Sequence, residues 1–296
     1  MNKWVLSLLF GLFSLTAAQA GELTGTLAKI QESGRITLGH RESSIPFSYY
    51  DNNQQVVGYS HAIMLKVVEA IKTAVNRPQL QVNLMPVTSA NRILLVQNGT
   101  VDLECGSTTN NLERQKQVAF SNSLFIVSTR LMARKDSGIQ DFPDLVGKNV
   151  VTTAGTTSER LLRKMNEEKK MGMNIISAKD HGESFLTLET GRAVAFMMDD
   201  ALLYGEIAKA KQPQDWQVVG TPQSREAYGC MMPKGDAPFK ALVDATIAQL
   251  MTSGEVEKLY NIWFTQPIPP KGLNLAFPLP ADMKALYANP NDKPIE

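Results

Sequence analysis

Cysteine and histidine are scarce in this sequence, and their scarcity excludes several kinds of chemistry. The 296 residues include two cysteines and three histidines, and no CxxC pair occurs. His40, His61 and His181 stand far apart and have none of the spacings that zinc sites use. The sequence also lacks GxSxG, HExxH and P-loop motifs. We therefore expect no metal, no cofactor and no enzymatic activity that depends on these motifs.

The sequence also lacks an excess of either positive or negative charge. After the first 20 residues it has no long apolar run. The 30 basic and 29 acidic residues almost cancel, and this balance argues against a nucleic-acid or polybasic membrane protein. At the N-terminus, one lysine, an apolar run from Trp4 to Leu15 and the segment Ala18-Gln19-Ala20 have the order of a secretory signal peptide. That run is too short to span a bilayer. We expect cleavage after residue 20 and a soluble, exported monomer.

The two cysteines, Cys105 and Cys230, allow two interpretations. Export to an oxidising compartment favours a disulfide, and each cysteine has no other partner in the chain. Two separate buried thiols, which behave as small apolar residues, are the alternative. We favour the disulfide, although sequence gives no Cα separation to test it.

Strands and helices alternate along the chain, which predicts an α/β fold with mainly parallel sheets flanked by helices. Predicted strands cover residues 35–39, 80–87, 101–105, 149–153, 174–177 and 193–197. Predicted helices cover residues 61–75, 90–97, 111–120, 158–170, 183–190, 201–211, 237–252, 256–264 and 281–287. Two extended stretches, 122–135 and 226–232, interrupt the alternation.

Two segments of the chain are similar to each other. LLVQNGTVDLEC at 94–105 and LTLETGRAVAFM at 186–197 each read as a helix end, a glycine turn and a buried strand. The pattern is common in α/β proteins, so one match does not prove a repeat. It favours two similar lobes whose polar strand ends face one crevice, where open α/β sheets bind ligands. The two extended stretches would then be hinge strands.

The strand at 101–105 alternates apolar and acidic residues, which predicts a half-buried strand. A run of hydroxyls (Ser107–Thr109) follows it, and then Arg114. One interpretation is a loop and a helix cap, a role that Asn110 and Asn111 can also take. The other is a docking place for an anion, because a guanidinium fork suits a carboxylate.

Four motifs stand in order along the chain: GHRESSIPFSYYD (39–51), ECGSTTNNLERQ (104–115), AGTTSE (154–159) and AFMMDDA (195–201). They resemble the periplasmic solute-binding proteins of polar amino-acid ABC transporters, in particular those for glutamate and aspartate. The resemblance implies a type II periplasmic-binding-protein fold with two lobes and two hinge strands. Lobe 1 would comprise residues 21–128 and, with a C-terminal tail, 228–296, and lobe 2 residues 129–227. It also implies that the closed lobes enclose one amino acid and dock on a membrane permease.

A dicarboxylic amino acid needs donors for two carboxylates and an acid for its ammonium, because unpaired buried charge is costly. The resemblance places Arg114 and Thr157 against the α-carboxylate and Asp199 against the ammonium. Ser107 and Thr109 reach the crevice beside them. The resemblance surrounds the distal carboxylate with Arg41, Ser89, Arg92 and His181.

Each of these assignments has an ordinary structural alternative. An arginine on a helix face can be solvated, and His181 can be a polar loop residue. Thr157 or Ser158 can cap the helix that follows them. The resemblance aligns Asp199, rather than its neighbour Asp200, with the acid for the ammonium, and Asp200 is expected to cap the helix that follows.

An enzymatic alternative also exists. Exported dehydratases that act on prephenate-like dicarboxylates resemble the same fold and need a general acid over the substrate. Asp199 or His181 would serve in that role. The acid placed for an ammonium favours binding without catalysis.

Overall fold

A computed structural model describes residues 22–295, so the proposed signal peptide at 1–20 lies outside the described residues. The helices are α1 (Gly25–Ser33), α2 (Tyr59–Ala74), α3 (Arg92–Gln97), α4 (Leu112–Gln115), α5 (Thr157–Glu168), α6 (His181–Glu189), α7 (Asp200–Lys209), α8 (Ala237–Thr252), α9 (Glu255–Phe264) and α10 (Ala281–Ala288). Within the described part of the chain, no helix has the length and apolar character needed to cross a membrane.

The strands vary from two to ten residues in length. They are β1 (Arg35–His40), β2 (Ser43–Ser44), β3 (Ser48–Tyr50), β4 (Val56–Val57), β5 (Gln81–Pro86), β6 (Leu103–Glu104), β7 (Thr109–Asn110), β8 (Val118–Val127), β9 (Thr129–Arg134), β10 (Asn149–Thr153), β11 (Asn174–Ala178), β12 (Ala195–Asp199), β13 (Trp216–Val219), β14 (Glu226–Pro233), β15 (Pro267–Ile268) and β16 (Leu273–Asn274).

Two large sheets hold most of these strands and have the same strand arrangement, while β2-β3-β4 and β15-β16 form two small sheets of their own. The first runs β5-β1-β6-β14-β7, with β8 also paired to β14, and the second runs β11-β10-β12-β9-β13. In each sheet the first three strands are parallel and the fourth is antiparallel to its neighbour. We call the elements around these sheets the first and the second lobe. The two similar sequence segments end in β6 and β12, which occupy equivalent central positions.

The chain passes between the lobes twice, through the extended stretches that the sequence predicted. β8 belongs to the first sheet and β9 to the second, with one residue between them. The return runs from β13 in the second sheet to β14 in the first. We propose these passages as the hinges and keep 21–128, 129–227 and 228–296 as the proposed division of the chain.

The first lobe is closed by aromatic rings that distant segments supply. Phe125 stacks on Phe264 with 4.8 Å between ring centroids, and Tyr59 packs edge-on against both rings. The Tyr59 hydroxyl donates to the Leu124 carbonyl at 2.9 Å and lies 2.8 Å from the Tyr287 hydroxyl. Because Tyr287 belongs to α10, these contacts hold the C-terminal tail on the first lobe.

The predicted disulfide is confirmed, because Cys105 and Cys230 are bonded. Cys105 follows β6 directly and Cys230 lies in β14, so the bond joins two neighbouring strands of the first sheet. It closes a sequence separation of 125 residues. The bond therefore fixes the start of the loop that carries Ser107 and Thr109.

The helix predicted over 111–120 is wrong over most of its length. Only α4, a single turn, is helical, and β8 begins at Val118. Val118 and Phe120 pair with Pro233 and Met231 of β14. A partner strand from far along the chain supplies their hydrogen bonds and overrides an undecided local pattern. The sequence analysis also missed α1.

Candidate ligand-binding cleft

The nine residues predicted to contact a ligand come from both lobes and meet between them. Thr157 is half-buried. The other eight are buried: Arg41, Ser89, Arg92, Ser107, Thr109, Arg114, His181 and Asp199. Side chains of these polar types are seldom so fully buried in one place unless they bind one another or a ligand.

Two guanidinium groups share one serine in the first lobe. Arg41 follows β1 and Arg92 opens α3. Arg41 Nη1 donates to Ser107 Oγ at 3.4 Å, and Arg92 Nη1 donates to the Ser107 carbonyl at 3.0 Å. Arg92 Nε and Ser89 Oγ have no hydrogen-bond partner among the described residues. Arg92 Nε and Ser89 Oγ therefore remain available as donors, in addition to the hydrogen bonds that hold the two arginines in place.

A buried acid lies beside the two arginines and corrects the prediction of a half-buried strand. Glu104 is 0% exposed, and its Oε2 accepts from Thr108 Oγ1 at 2.9 Å. Burial raises the pKa of Glu104, while Arg92 and then Arg41 oppose that rise. The other acid on the polar face of the strand, Asp102, is also buried and pairs with Lys29 at 2.7 Å, so neither acid faces water. One carboxylate against two guanidiniums leaves an excess of positive charge here.

Arg114 is held at the boundary between the lobes. Asn111 caps α4, and its Oδ1 accepts from the Arg114 backbone N–H at 2.9 Å. Arg114 Nη1 donates to the Thr109 carbonyl at 2.9 Å, and Nη2 donates to the Gly155 carbonyl of the second lobe at 3.3 Å. Because Asn111 is the cap, Thr109 keeps its hydroxyl for the cleft. Burial, followed by the charge of Arg92, lowers the pKa of Arg114, although guanidinium stays charged at neutral pH.

The start of α5 places Thr157 toward the first lobe. The alternative in which Thr157 or Ser158 caps this helix is wrong, because Thr156 is the cap and accepts from the Glu159 N–H at 3.0 Å. Thr157 Oγ1 instead donates to Glu226 Oε2 at 2.7 Å. Its side chain is therefore directed out of the helix and into the cleft.

His181 is the first residue of α6 rather than a loop residue, because Asp180 caps this helix. Its Nδ1 lies 2.9 Å from the Thr153 hydroxyl, while Nε2 has no hydrogen-bond partner within residues 22–295. Burial, followed by the charges of Arg41 and Arg92, lowers the pKa of His181 well below its ordinary value. The ring is therefore neutral at physiological pH. When Thr153 donates to Nδ1, the ring proton is on Nε2.

Asp199 ends β12 and collects three hydroxyl donors. Its Oδ1 accepts from Thr129 at 3.2 Å and from Ser158 at 3.1 Å, and its Oδ2 accepts from the Tyr228 hydroxyl. Burial, and then the neighbouring Glu226, raise the pKa of Asp199 to about 7. This carboxylate is ready for a cation, because a positive charge beside it would relieve both causes.

The expectation that Asp200 caps its helix is wrong, because α7 begins at Asp200 and the residue before it holds the cap position. Asp199 occupies the cap position of α7 but makes no capping hydrogen bond with its side chain. Asp200 Oδ1 accepts from the Ala201 N–H at 2.8 Å and from the Ser128 N–H at 3.3 Å. Asp199 is thereby left free of the helix and available to the cleft.

Comparison with known proteins identifies the architecture. A family model described as bacterial extracellular solute-binding proteins, family 3, matches residues 36–266. The L-glutamate/L-aspartate-binding protein of Pseudomonas aeruginosa is 67% identical over 278 residues, which cover 94% of this chain and 92% of that protein. The chain belongs to family 3 of the bacterial extracellular solute-binding proteins.

Two further comparisons agree with this family. The glutamate/aspartate import solute-binding protein of Salmonella typhimurium is 66% identical over 90% of this chain and 89% of its own length. A crystallised ArgBP variant from T. maritima is 24% identical and has a TM-score of 0.72 over 81% of this chain and 99% of its own. At 24% identity, the similarity to the ArgBP variant concerns the fold alone. A solute-binding protein of this family acts outside the cytoplasm.

The two lobes of this solute-binding protein touch across the cleft at several places. Ser43 Oγ of the first lobe donates to Asp180 Oδ1 at 3.2 Å and accepts from the Gly182 N–H at 3.3 Å. An ion pair joins Glu113 to Arg160 at the rim. The lobes are therefore closed on each other, and the residues described above are enclosed by them.

The sequence analysis of the solute-binding protein missed three buried residues of the cleft: Glu104, Glu226 and Tyr228. Glu226 is the polar first residue of a predicted extended stretch, and an acidic residue at that position could have indicated a cleft residue. Glu104 stood on the polar face of a predicted strand. No local signal marked Tyr228, because an aromatic residue in an apolar strand is ordinary core material.

Proposed function

We propose that the protein captures L-glutamate or L-aspartate in the periplasm and delivers it to the membrane permease of an ABC importer. Relatives at 66–67% identity carry glutamate/aspartate-binding names. The observation that carries the proposal is that three of the buried polar atoms without hydrogen-bond partners among the described residues are possible donors in the cleft: Ser89 Oγ, Arg92 Nε and His181 Nε2. Unpartnered buried polar groups are costly, and a second carboxylate on the ligand would satisfy them.

The distal carboxylate is assigned to the positively charged part of the cleft. Arg41 and Arg92 supply charge in excess of Glu104, and Ser89 supplies a hydroxyl. His181 supplies an N–H donor from the second lobe without adding charge. A lysine or arginine ligand would bring its own cation against the two guanidiniums and be repelled.

The amino-acid head group is assigned to the other residues of the cleft. Arg114 and Ser107 hold the α-carboxylate from the first lobe, and the start of α5 at Thr157 offers backbone N–H groups from the second. Asp199 accepts the ammonium, with Thr109 beside it. Because the ligand touches both lobes, it binds the closed form more tightly and shifts the population toward closure.

The proposal includes the absence of catalysis. Family membership supports a carrier rather than an enzyme, and we propose that the protein acts as a monomer without cofactor. Incubation with prephenate and with arogenate should leave both compounds unchanged. Conversion of either compound would make the dehydratase alternative the correct one.

Calorimetric titration of the chain from residue 21 onward with the common amino acids tests the proposed ligand. We expect binding of L-glutamate and L-aspartate and no binding of lysine or arginine. Arg114→Ala should abolish binding of every amino acid, and Arg35→Ala, which removes an exposed arginine from the same lobe, should leave it intact. Tighter binding of a neutral or cationic amino acid would refute the proposal.

A further inference from the structure

Glu226, the first residue of β14, accepts hydrogen bonds from both lobes at the hinge. Its Oε2 accepts from Thr109 Oγ1 of the first lobe at 2.5 Å and from Thr157 Oγ1 of the second lobe at 2.7 Å. Its Oε1 accepts from Ser224 Oγ at 2.9 Å. Glu226 is 7% exposed. The ligand contacts assigned above make no use of this carboxylate.

These hydrogen bonds decide what the two threonine hydroxyls offer to a ligand. A hydroxyl has one proton and two lone pairs, whereas a carboxylate only accepts. The protons of Thr109 and Thr157 are both directed at Glu226, so their oxygens present lone pairs to the remainder of the cleft. Lone pairs suit an ammonium group and cannot donate to a carboxylate. The α-carboxylate must then rely on Arg114, on Ser107 and on backbone N–H groups.

Glu226 is also linked to Asp199 by a chain of hydroxyls. Thr129 Oγ1 donates to Asp199 Oδ1 at 3.2 Å and lies 2.7 Å from Ser224 Oγ, which in turn contacts Glu226. The two carboxylates therefore belong to one polar network. Both favour a cation in the space that Thr109 and Thr157 border.

We propose that Glu226 is a positioning residue that makes this end of the cleft selective for an ammonium group, by turning the Thr109 and Thr157 hydroxyls into acceptors. The inference rests on the proposed function. It adds that the protein distinguishes an amino acid from the corresponding acid that lacks the ammonium group. Glu226 needs no contact with the ligand for this role. Its charge adds to that of Asp199, and its hydrogen bonds fix the hydroxyl directions.

The test compares L-glutamate with glutarate, which keeps both carboxylates and lacks the ammonium. Calorimetry on the wild-type protein gives the ratio of the two affinities. Glu226→Ala should weaken L-glutamate by roughly tenfold or more and leave glutarate unchanged or tighter, because the freed hydroxyls can then donate to a carboxylate. Glu226→Gln, whose carbonyl still accepts both hydroxyls, should fall between the wild type and Glu226→Ala.

A matched control separates this role from a general loss of a buried acid. Glu206, in α7, is buried like Glu226 but takes no part in the cleft network described above. Glu206→Ala should alter stability without changing the ratio of L-glutamate to glutarate. Thr157→Val, which keeps the side-chain shape, should lower that ratio in the same direction as Glu226→Ala and serves if the latter does not fold.

The proposal would be overturned if Glu226→Ala left the ratio of L-glutamate affinity to glutarate affinity unchanged, because a purely structural residue weakens both ligands alike. If Glu226→Ala does not fold, the same result in Thr157→Val would overturn it. Failure of the proposed function has a different signature. It would appear as an absence of L-glutamate binding in the wild-type protein. The amino acid that does bind, and its deaminated acid, would then form the test pair for Glu226.

Discussion

A Cβ atom built on Gly155 would lie 2.6 Å from Ala90 Cα and 2.8 Å from Ala90 N. Gly155 belongs to the second lobe, between β10 and α5, and Ala90 belongs to the first, in the turn before α3. The two backbones thus meet across the cleft with no room for a side chain. Gly155 also has a φ of +77°, which residues with a Cβ rarely adopt. Closure of the lobes depends on a glycine at this position.

Gly155→Ala is therefore expected to weaken ligand binding by roughly 10- to 100-fold, because the added methyl opposes the closed form. Gly172→Ala is the matched control in the same lobe, since Gly172 has a φ of +63° and nothing near its Cβ position. Both variants should lose about 1 kcal/mol of stability from backbone strain. Calorimetry and thermal unfolding measure the two effects. Equal ligand affinity in both variants would show that the contact at Ala90 does not control closure.

Arg92→Ala should reduce the affinity for L-glutamate more than that for L-glutamine. Part of the loss is common to both ligands, because Arg92 also holds the Ser107 carbonyl at 3.0 Å. The remainder falls on the distal carboxylate, and roughly a 10- to 100-fold drop in the glutamate-to-glutamine ratio corresponds to one charge-assisted hydrogen bond. Titration of both ligands against both proteins measures it. Equal losses would assign Arg92 to the fold rather than to side-chain recognition.

Because of the raised pKa of Asp199, we expect pH to have opposite effects on ligand affinity and on the stability of the folded protein. Its pKa is raised from 3.8 to about 7, by burial and then by Glu226, so the folded protein without ligand binds a proton that the unfolded chain releases between these values. This group therefore adds stability as pH falls from about 7 toward 4 and removes it as pH rises. Ligand affinity should change the other way, because the ammonium needs the ionised carboxylate.

The measurement for Asp199 is a pair of pH series from 5 to 8, one for L-glutamate affinity and one for unfolding without ligand. Affinity should fall by up to about tenfold per pH unit below 7. In Asp199→Asn, affinity should be low throughout and the slope of stability with pH should decrease. Identical slopes in the variant and the wild type would assign the pH dependence to other groups.

The bond between Cys105 and Cys230 should contribute up to about 5 kcal/mol to stability, since it closes a separation of 125 residues in the unfolded chain. Reduction with dithiothreitol should lower the urea midpoint of the wild-type protein. The double variant Cys105→Ala and Cys230→Ala should unfold near the midpoint of the reduced protein and be insensitive to reductant. A wild-type midpoint that does not move on reduction would contradict this expectation.

Much of the cleft was predictable because short motifs of the sequence resemble those of a known family, whose ligand-binding positions could be carried over. Arg41 and Arg92 were assigned to the distal carboxylate by that resemblance, because an arginine at a strand end or a helix start is ordinary when taken alone. The choice of Asp199 over Asp200 came from the same resemblance, whereas the capping role expected of Asp200 was wrong. The nine side chains were thus named from the sequence, and their roles remain predictions.

Other features depended on partners that no local pattern reveals. The cap of α5 is Thr156, which neither alternative named, because serine and threonine at successive positions have similar capping preferences. Residues 118–120 were assigned to a helix, because only β14, more than 100 residues later, makes them a strand. The acidic face of β6 was expected to be exposed, because the sequence does not show which side chains will cover it.

The sequence by itself determined the alternation of strands and helices, the paired lobes and the chemical types gathered for a ligand. The alternation and the lobes follow from periodicity and an internal similarity, and the chemical types follow from the resemblance of short motifs to a known family; all of these involve neighbours along the chain. Only the tertiary structure decided the direction in which hydroxyl protons point and which acids stand beside which arginines. Glu226 meets Thr109 from 117 positions away, and such a contact exists only after the chain has passed between the lobes and returned.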